Sequence, residues 1–90
     1  MTRQKQIDRQ LNLMEYVEAM TEAAHDKGLY IDHYSDAWEN DGSKKLTFFV
    51  WEPTGSISES FKAVYTDTTH KDIKVMAPLA IDSVIQQAFA

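Results

Sequence analysis

LYIDHYSDAWENDGSKKLTFFVWEPTGSISESFKAVY, residues Leu29 to Tyr65, is the stretch on which the fold turns. Its apolar residues recur with period two, which sends successive side chains to opposite faces of a strand. Asn40-Asp41-Gly42-Ser43 reads as a hairpin turn, because Asp-Gly accepts the positive φ angles of a type I′ turn. Pro53-Thr54-Gly55-Ser56 reads as a second turn, with Gly55 suited to its special position. Three strands follow, near Tyr30–Glu39, Lys44–Glu52 and Ser56–Tyr65. Hairpins this tight are antiparallel.

A two-residue loop at Asp41-Gly42 predicts the pairs Tyr34 with Phe49, His33 with Val50 and Ala37 with Leu46. A loop at Thr54-Gly55 predicts Phe48 with Phe61 and Leu46 with Ala63. One face then carries Ile31, His33, Ala37, Leu46, Phe48, Val50, Phe61, Ala63 and Tyr65. The other carries Tyr30, Asp32, Tyr34, Asp36, Trp38, Thr47, Phe49, Trp51, Ser60, Lys62 and Val64.

Helical period flanks this region on both sides. From about Lys5 to Lys27, Leu13, Val17, Met20 and Ala24 share one face, with Ile7 and Met14 on its flank. Gly28 followed by Leu29 reads as the stop, with Gly28 in the left-handed conformation and Leu29 packing back. From near His70, Ile73, Met76, Ala77, Ala80, Ile81, Val84 and Ala88 form a second stripe. Thr69 with Asp72 has the spacing of a capping box. Pro78 interrupts that stripe, so either the helix kinks there or residues 72–76 are something else and Pro78 opens the helix. The stripe continues on both sides of Pro78, which favours the kinked helix.

The whole is an α+β fold in the order α-β-β-β-α, with two helices on one face of a three-stranded antiparallel sheet. All 90 residues make one domain, since a chain this size closes only one small core. An apolar share of 43 % against 26 % charged is enough to fill that core. The core is expected to hold Leu13, Val17, Met20, Phe48, Val50, Phe61, Ile81 and Val84.

Composition removes several kinds of chemistry. The chain has no cysteine, so disulfides, thiolate catalysis and Cys-based zinc sites are excluded. Glycine stands only at 28, 42 and 55, and no phosphate-binding loop, dinucleotide fingerprint or nucleophile elbow can be written around those positions. His25, His33 and His70 belong to three different elements, and no convergent ligand set for a metal or cofactor emerges. His33 reads as a half-buried structural histidine. The first ten residues, MTRQKQIDRQ, carry no apolar segment for secretion. The longest apolar run, Phe48 to Trp51, is far short of the roughly 20 residues that span a bilayer. A cytoplasmic protein without a membrane partner is expected, and no enzymatic activity.

The order of elements is similar to that of the double-stranded RNA-binding domain, over residues from about Leu13 to Ala88. That resemblance implies the fold. The family grips phosphates with a Gly-rich, Lys-Lys stretch at the start of its second helix. Here the stretch is Thr66-Asp67-Thr68-Thr69-His70-Lys71, with no glycine and one lysine. The formal charge of −5 also opposes phosphate-backbone contact, so direct binding of nucleic acid is not expected. Ordinary helix capping is the reading of Thr66–His70, and simple solvation that of Arg3, Lys5 and Arg9.

Two surfaces stand out as partner-binding candidates. On the first helix Glu15, Glu18, Glu22 and Asp26, with Asp8, fall in a narrow arc without Lys at i+4 of the three glutamates, and Leu11 sits exposed among them. On the outward sheet face Tyr30, Tyr34, Trp38, Phe49 and Trp51 alternate with Asp32 and Asp36. Aromatics beside carboxylates suit a basic protein surface, and carboxylates at regular spacing imitate nucleic-acid phosphates. In type the chain looks like the small acidic inhibitors that phages and plasmids encode against host defence, anti-CRISPR proteins among them. The expected function is that of a non-enzymatic binding protein engaging a basic, nucleic-acid-binding host protein. The alternatives are a degenerate double-stranded-RNA-binding-like module using Lys71, Lys74 and the N-terminal basic residues, and a structural homodimer closed by the aromatic face.

Overall fold

The computed structural model describes residues 3–55 and 58–88 of the chain. Helix α1 (Arg3–Asp26) leads into β1 (Tyr30–Ser35), β2 (Lys44–Trp51) and β3 (Ser58–Tyr65), followed by a short α2 (Asp67–Lys71) and α3 (Ile73–Ala88). The sheet is antiparallel in the order β1-β2-β3, and the helices pack on one of its faces. The α+β class and the α-β-β-β-α order hold, with the last helical region in two pieces.

Helix α1 ends as its sequence dictates. Gly28 takes φ +75°, its N–H reaches the His25 carbonyl at 2.9 Å, and the Leu29 N–H reaches back to the Ala24 carbonyl at 3.0 Å. These are the paired bonds of a Schellman stop, and Leu29 is buried behind them. The buried face of α1 is Leu13, Tyr16, Met20, Ala23 and Ala24. Val17 is only partly buried, while Ile7 and Met14 are exposed, so the core face is rotated from the expected one toward Tyr16.

The β2/β3 register is as expected, with Phe48 opposite Phe61 and Leu46 opposite Ala63. The β1/β2 register is not. His33 faces Phe48, Tyr34 faces Thr47 and Ser35 faces Leu46, two residues away from the expected pairing. The turn is the reason. No non-glycine described residue has positive φ, which excludes type I′ at Asp41-Gly42. Instead the Gly42 N–H bonds the Glu39 carbonyl and the Glu39 N–H bonds the Ser43 carbonyl, with Gly42 at φ +88°. That is a three-residue loop closed by a glycine bulge. The Asp41 carboxylate accepts from both the Ser43 N–H (2.9 Å) and hydroxyl (2.7 Å), which holds its pKa below the usual carboxylate value.

A second irregularity lies just before this loop. The Asp36 N–H still bonds the Lys45 carbonyl, but the next bond is Glu39 to Ser43. Ala37 and Trp38 therefore stand opposite Lys44 alone, and one extra residue inverts the alternation. Trp38, expected on the outward face, turns to the core side and packs edge-on against Tyr65 with ring centroids 5.7 Å apart. Arg9 and Lys44 lie over its indole at 5.3 and 4.7 Å. The regular strand accordingly ends at Ser35, not Glu39. The expected start of the third strand at Ser56 lies outside the described residues.

Thr66, not Thr69, caps the last helical region. Its side chain accepts from the Thr69 N–H at 3.1 Å, and the Thr69 hydroxyl accepts from the Thr66 N–H at 2.7 Å. Asp72, expected within a capping box, closes α2 at its C-terminal end. The carbonyl of Asp72 then starts α3 by accepting from Val75 and Met76. Residues 73–76 are helix, and α3 continues through Pro78. Its buried stripe is Ile73, Ala77, Ile81 and Val84, with Ala80 half-buried and Met76 exposed. The expected place of the Ala88 side chain is outside what is described. Leu46, Phe48, Val50 and Tyr65 complete the core from the sheet, with Phe61 half-buried and stacked on Phe48 at 5.3 Å.

Candidate functional site: the open sheet face

Leu46, Phe48 and Val50 point into the core, so the odd-numbered positions of β2 and their partners face outward. The rungs read Tyr30–Trp51–Ser58, then Asp32–Phe49–Ser60, then Tyr34–Thr47–Lys62, and last Lys45–Val64 with Asp36 bonded at its flank. None of the described helices covers this face. Tyr30, Tyr34 and Phe49 are 50 %, 54 % and 39 % exposed, and Trp51 is half-buried. Within Tyr30–Ser35 the slip of two residues keeps each side chain on its expected face but changes its neighbours. Tyr30 packs on Trp51 across the rung (5.9 Å), whereas Tyr34 reaches Phe49 along the diagonal (5.6 Å). The aromatics therefore form two contacting pairs on β1 and β2, and β3 presents serines, Lys62 and Val64. The charges on the face are Asp32 and Asp36 toward β1, and Lys45 and Lys62 toward β2 and β3.

The acidic residues of α1 belong to the other layer. Glu15, Glu18, Glu22 and Asp26 line one wall of a groove of about 750 Å³, whose opposite wall carries His70, Lys71 and Lys74 from α2 and α3. His70 Nε2 and Glu15 Oε2 are 2.8 Å apart. Glu15, without a partner on its own helix, thus finds one on α2. Asp8 lies outside the groove and accepts from the Gln4 amide at 3.0 Å. The candidate residues thus divide in three: Tyr30, Asp32, Tyr34, Asp36, Phe49 and Trp51 share the sheet face, Glu15, Glu18, Glu22 and Asp26 share the helical groove, and Trp38 packs at the edge of the core.

His33 points to the core side of β1, 5.8 Å from the Phe48 ring, yet it is exposed, because the helices do not reach over that part of the edge strand. A second groove, of about 410 Å³, runs between α3 and β3 over Phe61 and Ala63, with Met76 and Leu79 on its lip. It was not anticipated. Its trace in the sequence is that Leu79, next to Met76 on the helix surface, falls off the Ile73/Ala77/Ile81 stripe, giving α3 more apolar residues than one face can bury.

Among the described residues no group of three or more His, Asp or Glu side chains could hold a metal ion. None of their helices is long and apolar enough to cross a membrane. The phenols held above their usual pKa, Tyr16 and Tyr65, lie in the core and not on the open face. Compared with protein-family models, with curated proteins and with solved structures, the chain matches none.

Proposed function

We propose that the chain is a small non-enzymatic binding protein whose open sheet face docks on a basic surface of a target protein, in the manner of an inhibitor that occupies a nucleic-acid-binding site. One observation carries this reading: two contacting aromatic pairs stand uncovered on the face opposite the helices, with Asp32 and Asp36 on the same column as Tyr30 and Tyr34. Large aromatics supply most of the energy of protein contacts, on the order of 2 kcal/mol each when fully buried. A column that carries carboxylates and no lysine suits basic groups at its rim. The acidic groove between the helices lies on the other layer and does not share that contact. It adds to the field that draws a basic target in.

The test is capture from a nuclease-treated lysate of the host with wild type and with Tyr34→Ala/Trp51→Ala. The variant keeps its fold, since both side chains are outside the core, and loses the captured target. A variant that retains every captured protein overturns the reading. So does tight binding of the purified wild type to double-stranded RNA at physiological salt, lost with Lys71→Ala/Lys74→Ala.

A further inference from the structure

We infer that in the free protein the sheet face is covered by a second copy of this chain, packed face to face about a two-fold axis along β2. The inference rests on the reading of that face as a docking surface and names its resting occupant. The face is lopsided. Aromatics and carboxylates lie toward β1, while serines and Lys62 lie on β3. A two-fold axis along the central strand lays the β1 column of one copy over the β3 column of the other. Tyr34 then lies over the partner copy's Lys62, a cation on an aromatic ring. Asp32 lies over Ser60, one rung from the same lysine. The aspartates of the two copies are kept apart by the width of the sheet, about 10 Å at two strand spacings. At the far end Lys45 meets its own copy, with the two Asp36 carboxylates beside it.

The balance of charge favours this occupant for the free protein. The net −5 of the chain is not on this face, which carries two carboxylates and two lysines. The acidic groove of each copy sits on the far side of its own sheet. Area sets the strength. The eight-residue β2 and β3 are about 26 Å long and the six-residue β1 about 20 Å, and the three with their side chains cover roughly 500 Å² per copy. A total of about 1,000 Å² is at the lower limit of specific interfaces. The dimer therefore forms reversibly and yields the face to a target.

Position 49 lies on the axis, against itself, and this makes the test sharp. Sedimentation equilibrium of wild type is expected to show monomer and dimer exchanging with concentration. Phe49→Lys and Phe49→Glu are each expected to be monomeric, and an equimolar mixture of the two to form dimers again. Thr47→Lys with Thr47→Glu, one rung along the axis, repeats the experiment should either Phe49 variant fail to fold. A wild type that stays monomeric up to about 1 mM, where any contact left is worth only about 4 kcal/mol, overturns the inference. So do single variants that remain dimeric, or a mixture that does not reassociate. A monomeric wild type whose target is still lost with Tyr34→Ala/Trp51→Ala overturns the dimer and leaves the proposed function. A dimer that obeys these rules while that variant keeps its target does the reverse.

Discussion

Tyr65 is the residue at which the layers of the molecule meet. It is fully buried at the end of β3, meets Tyr16 of α1 edge-on at 5.7 Å and Trp38 at the same distance, and its hydroxyl lies 3.5 Å from the Asp67 carboxylate. Burial raises its pKa above the ordinary 10.0, and the negative charge of Asp67 raises it further. Burial alone does the same to Tyr16. In the unfolded chain both phenols lose their protons at the ordinary value. Between that value and the raised folded one the unfolded state binds fewer protons, so stability falls as pH rises. Urea unfolding from pH 8 to 11 is expected to show this decline, and Tyr16→Phe or Tyr65→Phe to flatten it. An unchanged slope in both variants would show that other groups cause the loss. The side of the sheet that Tyr65 faces was legible because it is in phase with Ala63 and Phe61, but its full burial was not, and it is missing from the expected core. Nor was the burial of Tyr16 legible, since a face centred on Leu13, Val17 and Met20 is nearly as apolar as the one actually buried. Trp38 was legible as an aromatic but not as a core residue, because one bulged residue inverts alternation and leaves no mark in the composition.

At the scale of elements, local chemistry settled what it controls directly. The stop at Gly28, the β2/β3 pairing and the helical nature of the last segment each follow from residues that touch one another in sequence. The β1/β2 register failed where two turns compete for one dipeptide: Asp41-Gly42 serves a type I′ turn, and equally a type I turn whose fourth residue is the glycine. Asn40 and the Asp41–Ser43 bonds favour the second. Helix α3 keeps Pro78 in its interior, where the ring gives no N–H to the Lys74 carbonyl. The continuous stripe of Ile73, Ala77 and Ile81 holds the helix together across that gap. Pro78→Ala restores the missing donor at an exposed position and is expected to stabilise the fold by about 1–3 kcal/mol, part of the gain being offset by a freer unfolded chain. A raised urea midpoint with unchanged slope is the expected readout. No rise would mean that the proline ring, which lines the groove beside Ile73 and Lys74, contributes packing of its own.

At the scale of the whole molecule the two surfaces singled out from the sequence come to lie on opposite layers. The aromatic face was legible because alternation alone places Tyr30, Tyr34, Phe49 and Trp51 together, and a slip of two residues does not disturb it. The basic wall opposite the acidic arc was not, because His70, Lys71 and Lys74 are distant in sequence and reach α1 only through the turn at Thr66. Under the proposed function this separation gives the two surfaces different kinetic roles. Contacts at the sheet face would hold a bound target, whereas the charge of the far layer would act only at a distance, screened beyond about 10 Å at ordinary salt. Glu18→Lys/Glu22→Lys changes the formal charge from −5 to −1 without touching the sheet and leaves the Glu15–His70 contact in place. With a basic target the association rate is expected to fall several-fold at low salt and to lose most of its salt dependence. The dissociation rate is expected to stay at the wild-type value, while Tyr34→Ala/Trp51→Ala raises it. Surface-bound kinetics at two ionic strengths separate these effects. A dissociation rate raised by the helix variant as much as by the sheet variant would mean that the target reaches around both layers, and the single-face reading would fall.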